Sequence, residues 1–239
     1  MPENAVLYEV KDHIARITLA RPVIDMELSQ SLQEACGAVN GSDDVCVVVL
    51  DSAGDAFCTG GEKGAEAAAA AVAAIEKPVI AAVNGDALDL GLELALSADI
   101  RIAAANARFG MTQVAGGRVP AGGGTQRLPR IIGRGKALEL IMTAAVIGAA
   151  AGLEIGLVSK VVPVAELSAE SWKLAQTIAA KGPIALRYLK EAVIKGMDMT
   201  LEQGLRLEAD LYFLLHTTAD RTEGIKSYLE KRPPEYRGK

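Results

Sequence analysis

The chain has 239 residues, half of them hydrophobic, which suits one α/β unit with an appendage or a single larger unit and supplies a sizeable core. A formal charge of -5 at pH 7 argues against an electrostatic nucleic-acid binder, while leaving room for a local basic patch around a phosphorylated small molecule.

The predicted elements run as follows. Val6–Val10 and Ile14–Leu19 form a strand pair around the turn residues Lys11, Asp12 and His13. Leu28, Leu32, Ala35 and Val39 recur at helical spacing and give an amphipathic helix ending near Asn40 and Gly41. Val45–Leu50 is short, β-branched and apolar throughout, as a strand covered on both faces should be. Val79–Val83 is a second such strand and Ile100–Ala103 a third. Between the first two lie the glycine-bearing segment FCTGGEK, from Phe57 to Lys63, and a helix-prone alanine run from Ala65 to Ala74. Strands alternating with helices indicate an α/β core with crossover connections. From about Gly123 the character turns helical. Thr200 and Asp220 each start a capping-box pattern, marking two late helices. Leu201, Leu205, Glu208, Leu211 and Leu215 share one face of the first of these.

Two histidines far apart, His13 and His216, argue against a histidine metal site or a Ser-His-Asp triad. Cys36, Cys46 and Cys58 include no CxxC pair and read as reduced residues of a cytoplasmic protein. The first residues lack the pattern of a signal peptide, and no apolar stretch approaches the roughly 18 residues of a membrane span.

Three segments could carry chemistry. Glu93 sits among Leu88, Leu90, Leu92, Leu94 and Leu96 in a helix expected to begin near Asp89. Taking a carboxylate out of water is costly unless it is paired or hydrogen-bonded. Glu93 therefore either faces the one polar side of its helix, or meets a structural arginine, or lines a dry pocket as a general acid–base. In FCTGGEK, the paired glycines form a plain turn or let a ligand approach a backbone N–H closely. The glycine-rich run from Gly116 to Gly124 before a helix could cradle a phosphate. It lacks the GK[ST] of a P-loop and the GxGxxG of a dinucleotide site, so both of those functions fit poorly.

Taken in order, ITLARP, FCTGG, PVIAAVNG with GLELALSADIRIA, RFGM with PAGGGTQRL, GLVSKVV and the terminal TADRTEG with EKRP resemble the enoyl-CoA hydratase/isomerase (crotonase) superfamily over nearly the whole chain. The resemblance implies an α/β spiral of ββα units over residues 1–180, then a helical trimerisation region over 181–239. It implies a homotrimer or a dimer of trimers, an acyl-CoA substrate, and no cofactor beyond the coenzyme A carried by that substrate. It assigns the thioester oxygen to the backbone N–H groups of Gly61 and Leu90, an oxyanion hole. Cys58, Gly60 and Lys63 then flank the substrate. Glu93 falls on the first of the two water-activating carboxylate positions and Gln113 on the second. A glutamine can hold a water but cannot exchange a proton with it. That departure leaves several readings: reversible hydration of a 2-enoyl-CoA, another crotonase-type reaction through the same enolate (isomerisation, decarboxylation or C–C cleavage), or a catalytically degenerate acyl-CoA binder.

Leu90 stands where the family has glycine, which implies a narrower acyl pocket. Asp89 stands where the family has another, either as the cap of the helix or as an extra carboxylate near the acyl group. Val23 and Met26 replace a frequent lysine and a nearby asparagine, and the stretch from Gly61 to Pro78 is shorter than the family's. Tyr212, Tyr228 and Lys231 match positions that reach an acyl-CoA, partly from an adjacent subunit. Without the resemblance they read equally well as helix packing and a solvated cation.

Overall fold

The computed structural model describes residues 5–239. Strands β1 (Val6–Lys11) and β2 (Ile14–Leu19) pair antiparallel, as the turn between them requires. Helix α1 (Met26–Gly41) buries Leu28, Leu32, Ala35 and Val39, the expected stripe, and is capped by the Asp25 carboxylate, which accepts from Leu28 N at 2.8 Å. Three successive turns of chain then repeat one plan. Strand β3 (Val47–Ser52) leads through an extended segment at residues 58–61 to helix α2 (Ala67–Ala73). Strand β4 (Val79–Val83) leads through β5 (Ala87–Leu88) to helix α3 (Leu90–Ser97). Strand β6 (Ile100–Ala104) leads through β7 (Arg108–Gly110) and a single 3-10 turn (Gln113–Gly116) to helix α4 (Gly124–Ile132).

The first strands of these turns stack with the hairpin in one six-stranded sheet, β1-β2-β3-β4-β6-β9, where β9 is Lys160–Val162. All its pairings after the hairpin are parallel. Parallel strands need helical crossovers that cover both faces, so β3 and β4 are apolar at successive residues rather than alternately. The second strands form a smaller layer: β5 and β7 join β8 (Val146–Gly148) in a three-stranded sheet, and single bridges tie Cys58 to Ala87 and Ile24 to Gly61. Strand β3 runs two residues past the predicted end. Its pairing with β2 continues to Ser52, and Asp51 accepts from Arg16 Nε at 2.7 Å and Thr18 Oγ1 at 2.6 Å.

Helices α5 (Arg134–Thr143), α6 (Ala149–Glu154) and α7 (Leu167–Ala179) complete the core, with α7 lying on the large sheet. Helices α8 (Pro183–Gly196), α9 (Leu201–Leu215) and α10 (Ala219–Glu230) follow. Lys190 fastens α8 to the core through Asp99 Oδ2 at 2.7 Å and the Lys77 carbonyl at 2.9 Å. Thr200 caps α9 with the full capping box expected of it. The second late start is displaced by two residues. Thr218 caps α10, because the buried Asp220 carboxylate is taken by the backbone N–H groups of Arg237 and Gly238 in the returning C-terminal tail. Leu211 is buried, but Leu201 is 80 % and Phe213 77 % exposed, so α9 presents much of its apolar surface to solvent in the single chain. Among the described residues, no helix is long and apolar enough to cross a membrane.

Candidate active site

The small layer hands over to the helices around one open cavity of about 550 Å³, and most of the candidate residues, Glu93, Gln113, Gly61 and Leu90 among them, converge there. Gly61 reaches it at the end of the segment following β3. Ile24 donates to the Gly60 carbonyl at 3.0 Å and accepts from Glu62 N at 2.8 Å. In a parallel bridge of this kind the residue between those two turns its own N–H to the other side, which here is the cavity side. Leu90 is the first residue of α3, and the first N–H groups of a helix have no partner within it. The positive end of the helix dipole adds to that donor's pull on an anion.

The start of α3 packs tightly on the segment from Cys58 to Gly61. A β-carbon on Gly91 would lie 1.9 Å from the Cys58 carbonyl oxygen, so only glycine allows that approach. The Leu90 side chain then lies along Gly61. A β-carbon built on Gly61 would fall 2.3 Å from Leu90 Cδ2, and one on Gly122 would fall 2.7 Å from Cδ1. Leu90 is thus a wall of the cavity between the segment carrying the first donor and the glycine-rich loop.

That loop closes over Glu93, which is 2 % exposed. The polar-face alternative for Glu93 is therefore excluded. Its Oε1 accepts from Gly124 N at 2.8 Å, and its Oε2 from Gln113 Nε2 at 3.3 Å. Burial pushes its carboxyl above the ordinary glutamate range; the N–H groups of Gly124 and Gly122 and the charge of Arg127 oppose the shift, and Asp89 adds to it. Arg127 itself donates to the Gly122 carbonyl at 2.7 Å, holding the loop down. Gln113, 6 % exposed on the 3-10 turn, uses its amide N–H on Glu93, while its Oε1 is buried without a hydrogen-bond partner. The pair therefore offers one proton-exchanging group and one fixed dipole.

Of the other candidates, Gly60, Lys63 and Asp89 line the cavity. Asp89 does not cap α3: its carboxylate accepts instead from Thr112, whose N–H is at 2.6 Å. A left-handed φ of 50° at this residue turns the side chain away from the free N–H groups of the helix. Cys58 is a correction too. It is fully buried beneath the cavity, its thiol donates to the Gly60 carbonyl at 3.3 Å, and burial pushes it up to about 11, so it supports the segment and does not line the cavity. Tyr212 and Tyr228 lie exposed on the C-terminal helices and Lys231 directly follows the last of them; none is part of this cavity within the single chain. The sequence reading missed Thr59, Glu62, Glu66, Arg118, Val119 and Ala121 in the lining, and Thr112 behind it. No periodicity or motif marks Thr112; only the turn that brings it to Asp89 does.

The model of one family, enoyl-CoA hydratase/isomerase, matches residues 9–239. The chain is 39 % identical over 251 residues to a crotonyl-CoA hydratase of Syntrophomonas wolfei, covering 96 % of each chain. It is 34 % identical over 253 residues to a short-chain-enoyl-CoA hydratase of Clostridium acetobutylicum, covering 97 % of each. A crystal structure of an enoyl-CoA hydratase from Bacillus anthracis superimposes with a TM-score of 0.94 at 36 % identity, over 98 % of this chain and all of that one. With a match of this extent and a crotonase-type fold in three dimensions, the chain belongs to the enoyl-CoA hydratase/isomerase family.

Proposed function

We propose that this protein is an enoyl-CoA hydratase that adds water reversibly to a 2-enoyl thioester of coenzyme A. The observation that carries the reading is a buried glutamate of raised pKa on a cavity also lined by Gly61 and Leu90, whose N–H groups are left without a partner by the bridge to Ile24 and by the start of the helix. Addition of water at C3 of an enoyl thioester drives electrons onto the thioester oxygen. The N–H groups of Gly61 and Leu90 suit that oxygen, and donors fixed before the reaction stabilise such charge at no reorganisation cost. Glu93 takes a proton from the attacking water as its oxygen bonds to C3. The same carboxyl then delivers a proton to C2 as the enolate collapses. Gln113 holds the water or the new hydroxyl in line. The hydratases of Syntrophomonas wolfei and Clostridium acetobutylicum support this reaction, and their names point to short acyl chains.

Coenzyme A enters as part of the substrate, and the chemistry calls on no further cofactor or metal. We also propose that the chain works as a homotrimer, alone or as a dimer of trimers. The exposed Leu201, Leu205, Phe213, Tyr228 and Leu229 of α9 and α10 support a covered surface there. A neighbouring copy would then bring Tyr212, Tyr228 and Lys231 toward the nucleotide end of the substrate. Three free, buried cysteines favour a cytoplasmic location.

Because the Glu93–Gln113 pair holds one carboxylate rather than two, one second reading is favoured: an isomerase or a C–C-cleaving enzyme working through the same enolate, for which one acid–base group suffices. Crotonyl-CoA, followed by loss of enoyl absorbance and by mass spectrometry, separates the two. The hydratase reading expects a product heavier by one water, and a loss of about 10²–10⁴-fold in kcat for Glu93→Gln. Equal rates for wild type and variant remove Glu93 from the mechanism; conversion without gain of water favours the second reading.

A further inference from the structure

Asp89 occupies a backbone conformation that side-chain-bearing residues avoid, with φ 50° and ψ -119°. Its ψ lies well outside even the small left-handed region open to L-residues. Strain of this kind persists only where the surroundings hold it, and it gathers at functional sites. Its carbonyl accepts from Glu93 N at 3.1 Å as the first bond of the helix, while its own N–H and its carboxylate are both held by one short segment. Asp89 N donates to the Gly110 carbonyl at 2.9 Å. Its Oδ1 accepts from Thr112 N at 2.6 Å and lies 3.0 Å from Thr112 Oγ1, and its Oδ2 lies 3.1 Å from the same hydroxyl.

The neighbours of these two residues are what give the contact a role. Asp89 precedes Leu90, whose N–H is the second oxyanion donor. Thr112 precedes Gln113, whose amide is bound to Glu93. One carboxylate thus ties the donor for the thioester oxygen to the turn that carries the water-holding amide. We propose that Asp89 is a positioning residue: its grip on Thr112 fixes the direction of the Leu90 N–H and the place of Gln113 beside Glu93 together, so that the oxyanion and proton-transfer halves of the site keep one spacing. The proposal rests on the hydratase reading for its reaction, but the geometry it asserts is independent of turnover.

Three variants separate positioning from simple structural support. Asp89→Gly removes the carboxylate and relieves the backbone, so its stability should be kept while its function is not. Asp89→Asn leaves an oxygen that can still accept from Thr112 N. Thr112→Val removes the hydroxyl and leaves that N–H. Each is followed by kcat and KM for crotonyl-CoA, by thermal melting, and by difference infrared spectroscopy of bound butyryl-CoA carrying a ¹³C thioester carbonyl. Butyryl-CoA cannot be hydrated, so the carbonyl frequency reports the oxyanion hole alone. Asp89→Gly should lose about 10²-fold in kcat, the cost of a misplacement near 1 Å, with KM changed less than about threefold. Its carbonyl shift should shrink. Asp89→Asn should restore most of both, and Thr112→Val should fall between.

A melting temperature lowered in Asp89→Gly with kcat and carbonyl shift intact would overturn the proposal, leaving a structural tie. So would Asp89→Asn behaving as badly as Asp89→Gly. If wild type hydrates nothing while the carbonyl shift still depends on Asp89, the positioning role stands and the hydratase reading falls.

Discussion

The two halves of this site are built from different material. The proposed oxyanion half uses backbone: Gly61 is turned outward by its bridge to Ile24, and Leu90 is free because it opens a helix. The proposed proton-transfer half uses side chains, Glu93 and Gln113, which hydrogen-bond to each other. A backbone donor survives a change of side chain, so a leucine can stand at position 90 and still offer its N–H. A carboxylate has no such tolerance, and a glutamine at position 113 removes one proton-exchanging group outright. The same number of departures from a family pattern therefore costs the two halves very different amounts of chemistry.

That contrast can be broken from either side. Among variants that keep Glu93, the largest effect is expected from Gln113→Glu. It supplies a second carboxylate beside Glu93 and should raise the crotonyl-CoA hydration rate by up to about 10²-fold, the lower end of what one acid–base group contributes. An unchanged rate would show that Gln113 does not limit the wild-type enzyme. A smaller effect on chemistry is expected from Leu90→Ala. Since the N–H remains, kcat should stay within about tenfold of wild type, while the cavity left by a buried leucine lowers stability by about 2–5 kcal/mol in denaturant titration. A kcat loss as deep as that of Glu93→Gln would mean that the side chain, and not the backbone, does the work at position 90.

The smallest expected effect is thermal. Glu93 has its folded-state pKa raised by burial, so the native state binds its proton more readily than the unfolded chain does. The stability this group contributes is fully present below its unfolded value and is lost as pH rises through the raised folded value. Glu93→Gln removes that penalty and keeps an acceptor for Gly124 N. The variant should therefore melt above wild type at pH 8, by about 2–4 °C for each kcal/mol relieved. The gain should vanish at pH 4. A variant less stable than wild type at both pH values would contradict the assignment of Glu93 as a strained, charged group.

The sequence was most informative where physics leaves a pattern in composition. Strands β3 and β4 stand out because strands buried on both faces cannot alternate. Glu93 stands out because a carboxylate in an apolar helix demands a reason, although the residues alone left open whether that reason was a surface, an arginine or a pocket. The small second layer was not legible. Strands such as Ala87–Leu88 and Arg108–Gly110 are two or three residues long and carry no period to read. Asp89 shows the limit most clearly. An aspartate before a helix has every local reason to cap it, and it fails to because Thr112, 23 residues away, takes its carboxylate. Tertiary contact overrode the local preference, and the same contact lies behind the site.

The claim that one carboxyl performs the proton transfers is tested most directly by the pH dependence of kcat for hydration of crotonyl-CoA. Glu93 must be ionised to take the proton from water, and its pKa is raised by burial. The rate should therefore rise with pH on a single limb whose midpoint lies above the ordinary glutamate value of about 4.3, and Glu93→Gln should abolish that limb. A limb that persists in Glu93→Gln, or a midpoint at or below the ordinary value, would contradict the account.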